Sequence, residues 1–242
     1  MRTLIVIPAR MASVRFPNKP MALIDGKTMI QRVWEQAILS NLGEVIVACA
    51  ETEVYNHISS LGGKVEMTNP NLPSGTDRIF EAISNYSNIS QYDSIINLQG
   101  DMPIINPEDI EKVNIPLQQG FDMGTLVTEL TEDQTKDVNV TKAKIEWINK
   151  YKIGKALDFN KNMFNSINNE IYHHVGLYSF RYETLKKFIS ISPSKNEINR
   201  KLEQLRALDA KMTIGVSYVK DVPISVDTKK DLLKVEKIIK NL

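Results

Sequence analysis

The chain has 242 residues, 42% of them hydrophobic, with 30 Lys plus Arg against 29 Asp plus Glu and a formal net charge of +1. That balance excludes a protein that coats nucleic acid or an anionic membrane, and leaves any phosphate affinity to local basic loops. The length is enough to bury roughly 70–75% of the unfolded surface, so one compact domain with an excursion, or two closely joined lobes, is expected. The single cysteine, Cys49, rules out an intrachain disulfide and, at the end of an apolar run, reads as a buried core thiol. Met1-Arg2 leads straight into the first apolar run, with no signal peptide expected, and no stretch reaches the ~18 apolar residues of a membrane span. A soluble cytoplasmic protein is the expectation.

In chain order, Leu4 to Ile7 is a β-branched-rich run suited to a strand buried on both faces of a parallel sheet, and Pro8, having no N–H, is expected to end the ladder. Beyond it Arg10, Arg15 and Lys19 form a basic loop stiffened by Pro17 and Pro20, at the carboxyl end of a strand where open α/β sheets place ligands. Arg can fork onto two phosphate oxygens, and Lys adds a compact point charge. A solvated connecting loop would look the same, since no Walker A glycines and no Gly-x-Gly-x-x-Gly accompany it.

Thr28 is placed to cap a helix carrying Met29, Ile30, Val33, Trp34, Ala37 and Ile38 at helical spacing, with Gly43 beyond its end. Val45 to Cys49 predicts a second strand, Thr52 to Leu61 a helix stopped by Gly62-Gly63, and Lys64 to Met67 a third strand. The loop Asn71 to Arg78 ends at a helix over Thr76 to Tyr86. Ser74 or Thr76 can cap it, and its free N–H groups with Arg78 suit an anion or a carbonyl oxygen, although a plain capped helix has the same pattern. Ser94 to Leu98 predicts a fourth strand running into Gln99-Gly100-Asp101. There Asp101 suits Mg²⁺ on a nucleotide triphosphate or, equally, a turn.

Strands alternating with helices imply a parallel, doubly wound sheet. From about residue 123 the pattern turns strand-rich: Met123 to Thr128, then Ala143 to Phe159 with a turn at Asn149-Lys150, then Ile171 to Phe180. This third reads as a mixed or antiparallel extension. The Asn-rich stretch 160–169 reads as a mobile loop covering a site. Helices return over Glu197 to Leu208 and Thr228 to Asn241, around a strand near Thr213 to Val219. Asp227 is either an N-terminal cap of the last helix or a second metal carboxylate. His173 and His174 point to opposite faces of a strand and cannot chelate one metal, and His57 reads as an inert surface residue.

Taken in order, Ile-Pro-Ala-Arg with its basic loop, Ser-Gly-Thr-Asp-Arg, Gln-Gly-Asp, His-His-Val-Gly-Leu-Tyr, Leu-Glu-Gln-Leu-Arg and Val-Asp-Thr make the chain resemble the 3-deoxy-manno-octulosonate (Kdo) cytidylyltransferase family over nearly its full length. Sialic-acid cytidylyltransferases share the opening motif but usually lack Gln-Gly-Asp. The resemblance implies a Rossmann-like nucleotidyltransferase fold in one domain, divided as 1–122 for nucleotide, 123–180 for sugar and dimerisation, and 181–242 for a return carrying the metal Asp. It implies that CTP and Kdo give CMP-Kdo and pyrophosphate for lipopolysaccharide biosynthesis, with Mg²⁺ as cofactor and a homodimer as the assembly.

By the same resemblance Arg10 and Lys19 hold the triphosphate, and Arg15 lies near the reacting phosphate or the sugar carboxylate. Pro8, Ala9, Ser74 and Arg78 read cytosine and ribose, and Asp101 and Asp227 bind Mg²⁺. Gln99, His174, Tyr178, Glu203 and Gln204 face the sugar acid, Gln99 also lying on the nucleotide side. The chain departs from the family pattern at Met102, usually Glu; at Asp158-Phe159-Asn160-Lys161, usually aromatic-Phe-Ser-Arg; and at Arg200, commonly acidic. A transferase for another acidic sugar and a non-catalytic nucleotide-binding homologue are the alternatives.

Overall fold

The computed structural model describes residues 1–12, 15–84, 86, 89–164 and 170–241, which form two compact units, one of residues 1–110 with 223–242 and one of residues 111–222. The chain leaves the first unit after Ile110 and returns to it at Pro223.

The first unit begins with β1 (Thr3–Ala9), followed by a short hairpin of β2 (Leu23–Ile24) and β3 (Lys27–Thr28). Asp25 and Gly26, both at positive φ, make its two-residue turn. Then come α1 (Met29–Leu39), β4 (Gly43–Cys49), α2 (Thr52–Ser60), β5 (Lys64–Met67), α3 (Gly75–Ser84), β6 (Ser94–Asn97) and the start of α4 (Pro107–Lys112). Strands β5, β4, β1 and β6 lie side by side in that order, all parallel. Right-handed crossovers put α1 and α2 on one face and α3 on the other.

Leu4 to Ile7 are fully buried, as a strand covered on both faces requires. Pro8 does not end β1, which stays paired with β4 through Ala9. The ladder to β6 stops at Val6, and the Pro8 carbonyl faces Gly100 on that side. A strand residue points its N–H and C=O the same way, so the donor that Pro8 lacks falls where no ladder remains.

α1 starts where Thr28 predicts, its hydroxyl accepting from Gln31 N at 3.2 Å. Met29, Ile30, Val33 and Ala37 are buried, whereas Ile38 is exposed at the helix end. His57 is not inert: its Nε2 lies 2.8 Å from Thr28 Oγ1, joining α2 to the α1 cap.

The second unit holds α5 (Ile115–Gln118), β7 (Met123–Thr128), α6 (Glu132–Lys136), β8 (Lys142–Asn149), β9 (Ile153–Asn160), β10 (Glu170–Phe180), α7 (Tyr182–Ser190), α8 (Lys195–Arg200), α9 (Leu205–Asp209) and β11 (Ile214–Tyr218). β7 pairs parallel with β11 and antiparallel with β10; β9 pairs antiparallel with β11 and β8; and β8 returns to pair antiparallel with β10. The ladder thus closes on itself. The β10–β7 ladder shifts register between Val175 and Tyr178, a bulge in β10. The single helix expected over Glu197 to Leu208 is two, because Lys201 takes the left-handed conformation (φ 55°) and ends α8. α7 escaped the sequence pattern: its buried face rests on Leu185 and Phe188 alone. The expected Asn-rich loop is described to residue 164, and residues 165–169 lie outside the described residues.

The chain re-enters the first unit and ends in α10 (Lys229–Lys240), capped by Thr228 and Asp231. Val226 and Val235 pack with Phe16, Ile24 and Met29 into a small core that seats the basic loop against the hairpin and α10.

Thr28→Ala removes both the α1 cap and the partner of His57. It is expected to cost about 1–2 kcal/mol, read as a lower urea midpoint with unchanged slope.

Candidate active site

The carboxyl end of the first unit's parallel sheet opens into a cavity of ≈ 390 Å³. Its walls are Pro8, Ala9, Arg10 and Ala12 after β1; Arg15, Lys19 and Pro20 of the basic loop; Gly75 and Arg78 of α3; Gln99, Gly100 and Asp101 after β6; and Asp227 before α10. Four cations and two carboxylates line it, a surplus of positive charge suited to a polyanion.

Backbone geometry brings these segments together. A Cβ on Gly100 would meet the Pro8 carbonyl oxygen at 2.8 Å, so only glycine lets the two loops pass. Asp101 O accepts from Val226 N at 2.9 Å, which sets Asp227 beside it. Phe16, 7% exposed, anchors the basic loop between Arg15 and Lys19. Met11 N donates to Glu51 Oε1 at 3.0 Å, and Asn18 N to Met11 O at 3.1 Å.

Thr228 caps α10, leaving the Asp227 side chain to the cavity, where its Oδ1 is 3.0 Å from Arg15 Nη2 and 3.3 Å from Lys19 Nζ. Lys19 Nζ is also 2.7 Å from Asp101 Oδ2. One ammonium therefore bridges two carboxylates. Ser74 does not line the cavity: its hydroxyl donates to Asp77 Oδ2 at 2.6 Å and accepts from Asp77 N at 3.1 Å, capping α3, and the adjoining Gly75 takes its place in the wall.

Arg78 sits on the buried face of α3, 1% exposed. Its Nη1 donates to Thr68 Oγ1, whose own proton goes to Cys49 O at 2.9 Å, while Nη2 is buried with no partner among the described residues. Burial pulls the guanidinium below its ordinary value and Glu51 opposes that shift, so Arg78 stays charged with a donor to spare for a ligand. Gln99 Nε2 donates to Asn97 Oδ1 at 2.9 Å, and Asn97 Nδ2 to Thr76 Oγ1 at 3.3 Å. Cys49 lies below this network, its thiol pushed up to about 12 by burial and hence unreactive.

Thr68, Asn97, Glu51 and Phe16 are the residues that sequence reasoning missed. Phe16 had a signal, as the one aromatic side chain in a basic loop. The other three had none, because Thr68 meets Arg78, Glu51 meets Met11 and Asn97 meets Thr76 only once the chain has folded.

Of the residues expected to face a sugar acid, Gln99 lines this cavity and the other four belong to the second unit. His174 is buried, edge-on to Phe159 and 5.5 Å from Tyr178 between ring centroids. Thr125 Oγ1 gives its proton to the bulge carbonyls of Leu177 and Val175, at 2.8 and 3.2 Å. His174 Nε2, 3.0 Å away, must therefore be the donor to that oxygen. Burial, with His173 adding to it, lowers His174 to about 3 and keeps it neutral. Tyr178 is raised well above its ordinary value by burial and by Glu203. Glu203 Oε1 lies 3.9 Å from Arg206 Nη2, and Gln204 is buried at the start of α9.

Two departures from the family pattern meet here, as Arg200 Nη1 donates to Asp158 Oδ1 at 2.7 Å. Met102 is 4% exposed and has become a core residue.

Thr68→Val leaves Arg78 Nη1 without its acceptor. It is expected to weaken binding of a polyanion in the cavity, read with inorganic triphosphate as the probe, by about tenfold, and Thr68→Ser to restore it; a loss of stability alone would mean a structural role. A His whose folded pKa is depressed binds its proton more readily when unfolded, so His174 withdraws stability as pH falls from 6.5 toward about 3. Urea titrations at pH 7 and 5 should show a loss of up to about 1.4 kcal/mol per pH unit from this group, absent in His174→Gln.

A family model described as Cytidylyltransferase matches residues 4–214. A 3-deoxy-manno-octulosonate cytidylyltransferase of Paramagnetospirillum magneticum is 41% identical over 239 residues, 98% of this chain and 97% of the relative. One of Rhodospirillum centenum is 40% identical over 238 residues, 98% and 93% of the two chains. A solved CMP:2-keto-3-deoxy-manno-octonic acid synthetase complexed with CTP superposes with a TM-score of 0.89 at 32% identity, covering 100% of this chain and 99% of that one. A cytidylyltransferase of Leptospira borgpetersenii, at 17% identity and a TM-score of 0.64 over 100% of this chain and 88% of that one, shares the fold. Agreement in sequence along almost the whole length, and in the path of the backbone, leads to one conclusion: the chain belongs to the 3-deoxy-manno-octulosonate cytidylyltransferase family.

Proposed function

We propose that this protein transfers the cytidylyl group of CTP to 3-deoxy-manno-octulosonate and releases pyrophosphate, for lipopolysaccharide biosynthesis. The observation that carries the reading is the cavity in which Arg10, Lys19 and the buried, part-unpartnered Arg78 converge with Asp101 and Asp227 at the end of a parallel sheet. The unit's strand order, with the cavity beyond the carboxyl ends of β1 and β6, supports the Rossmann-like nucleotidyltransferase assignment.

In the reaction the sugar's anomeric oxygen bonds to the α-phosphorus in line as the bond from that phosphorus to the β-phosphate oxygen breaks. The hydroxyl proton is lost and pyrophosphate leaves. Little covalent work falls to the protein, so its task is positioning and charge neutralisation. Arg10 and Lys19 hold the triphosphate. Arg15, its side chain 63% exposed, is free to reach the reacting phosphate or the sugar carboxylate. Pro8, Ala9 and Arg78 read cytosine and ribose, with Ser74 contributing through the α3 cap.

The residues present fit Mg²⁺, which takes one or two carboxylates and completes its shell with phosphate oxygens and water. Asp101 and Asp227 are close enough to share one ammonium and would hold the ion. Mg²⁺ bound there supplies charge neutralisation at the α-phosphate and a lower pKa for the attacking hydroxyl.

The assignment of Gln99, His174, Tyr178, Glu203 and Gln204 to the sugar acid rests on the family resemblance. A homodimer through the strand-rich extension belongs to the same reading, supported by the exposed Ile148, Tyr151 and Leu157 of β8, the turn and β9. No described helix is long and apolar enough to cross a membrane.

Pyrophosphate release from CTP, Mg²⁺ and Kdo is the test, run beside sialic acid, a no-sugar control and ATP, GTP or UTP in place of CTP. Release that requires both CTP and Kdo is expected. Release with sialic acid instead would move the protein to another acidic sugar, and CTP binding without release from either acid would make it a non-catalytic homologue.

A further inference from the structure

Lys19 stands where a divalent cation would have to bind. Its ammonium contacts Asp101 Oδ2 at 2.7 Å and Asp227 Oδ1 at 3.3 Å, and Arg15 adds a second cation 3.0 Å from that Asp227 oxygen. Mg²⁺ takes carboxylate oxygens at about 2.0–2.1 Å, so ion and ammonium compete for the same lone pairs and repel each other at that range. Two carboxylates balanced by two cations also leave no net negative charge to draw a free ion in.

The backbone beneath Lys19 is fixed. Phe16 and Pro20 are buried on either side, and Asn18, at φ 59°, is tied to Met11 O. The side chain is different: four methylenes let its ammonium turn from carboxylate to phosphate without moving the loop. A triphosphate in the cavity is a more highly charged acceptor for both Lys19 and Arg15 than either carboxylate.

We infer that Lys19 is a placeholder cation. In the nucleotide-free protein it occupies the Asp101–Asp227 pair and excludes free Mg²⁺; the triphosphate draws Lys19 and Arg15 away, and only then do the two carboxylates face a metal. Metal and nucleotide therefore bind as coupled ligands, each raising the affinity of the other by the same factor. The inference rests on the cytidylyltransferase reading above and adds to it an order of events.

The test is a Mn²⁺ titration of the full chain without nucleotide, followed by the loss of free-Mn²⁺ electron paramagnetic resonance signal. Wild type, Lys19→Met and Lys19→Met with Asp101→Asn are compared. Lys19→Met should bind Mn²⁺ about tenfold or more tightly than wild type, within the usual range for coupled sites, and the added Asp101→Asn should abolish the gain. Thermal unfolding gives a second readout, with Mg²⁺ alone raising the Tm of Lys19→Met and not that of wild type. Lys19→Gln serves if circular dichroism shows that the Met variant does not fold.

Equal Mn²⁺ affinity in wild type and variant, or a gain that survives Asp101→Asn, overturns the placeholder role. Calorimetric titration of wild type with CTP in chelator separates this from the functional reading: CTP binding with unchanged metal affinity removes only the Lys19 role, whereas absence of CTP binding removes the reading beneath it.

Discussion

Asp101 and Asp227 come from the two separate segments of the first unit, on either side of the second unit in sequence, and each carries a negative charge to the same few ångströms of space. Like charges at that distance repel unless a cation lies between them, and Lys19 supplies it with contacts of 2.7 and 3.3 Å. The side chain of Lys19 is 16% exposed and that of Asp101 25%, so their attraction is less screened than a surface pair would be. The arrangement draws the basic loop, the end of β6 and the start of α10 to one wall. The same balance of charge makes the cavity responsive, because a polyanion that competes for Lys19 changes what the carboxylates can hold.

That charge cluster depends on an uncharged scaffold. The Pro8 carbonyl and Gly100 pass within reach of each other only because glycine has no Cβ, and the Asp101 carbonyl then takes the Val226 N–H. Phe16 and Val226 belong to one small core with Ile24, Met29 and Val235. Burial of apolar surface at Phe16 thus sets where Arg15 and Lys19 emerge, and the cations spend little entropy in reaching their stations. Arg78 follows the same logic with polar partners, its fork held by Thr68 so that one amino group stays available.

The second unit solves a different problem, that of burying polar groups within a ladder closed on itself. At the bulge in β10 the Thr125 hydroxyl gives its proton to the carbonyls of Val175 and Leu177, and His174 donates to the same oxygen. Glu197 likewise caps α8 and forks onto Arg206, at 2.8 and 2.6 Å. Each of these groups is buried or half-buried, and each is satisfied by geometry that apolar periodicity does not encode.

Local signals were therefore legible and meetings between distant residues were not. The alternation of apolar runs and helical periods marks β1, β4, β5, β7 and α1, and Thr28 marks a helix start, because those features depend on neighbours within a few residues. The break at Lys201 and the course of β1 through Pro8 depend on which partner faces each peptide group, and periodicity does not carry that. The types of the cavity residues, a basic loop and two loop carboxylates at strand and helix ends, could also be read from the chain, as could the family they suggest. Whether Asp227 capped a helix or faced the cavity could not, since both positions fit the same local sequence. The sequence by itself determined which charges exist and which elements carry them. Only the tertiary structure decided that Lys19 and Asp227, 208 residues apart, share a contact, because packing at Phe16, Gly100 and Val226 sets that distance.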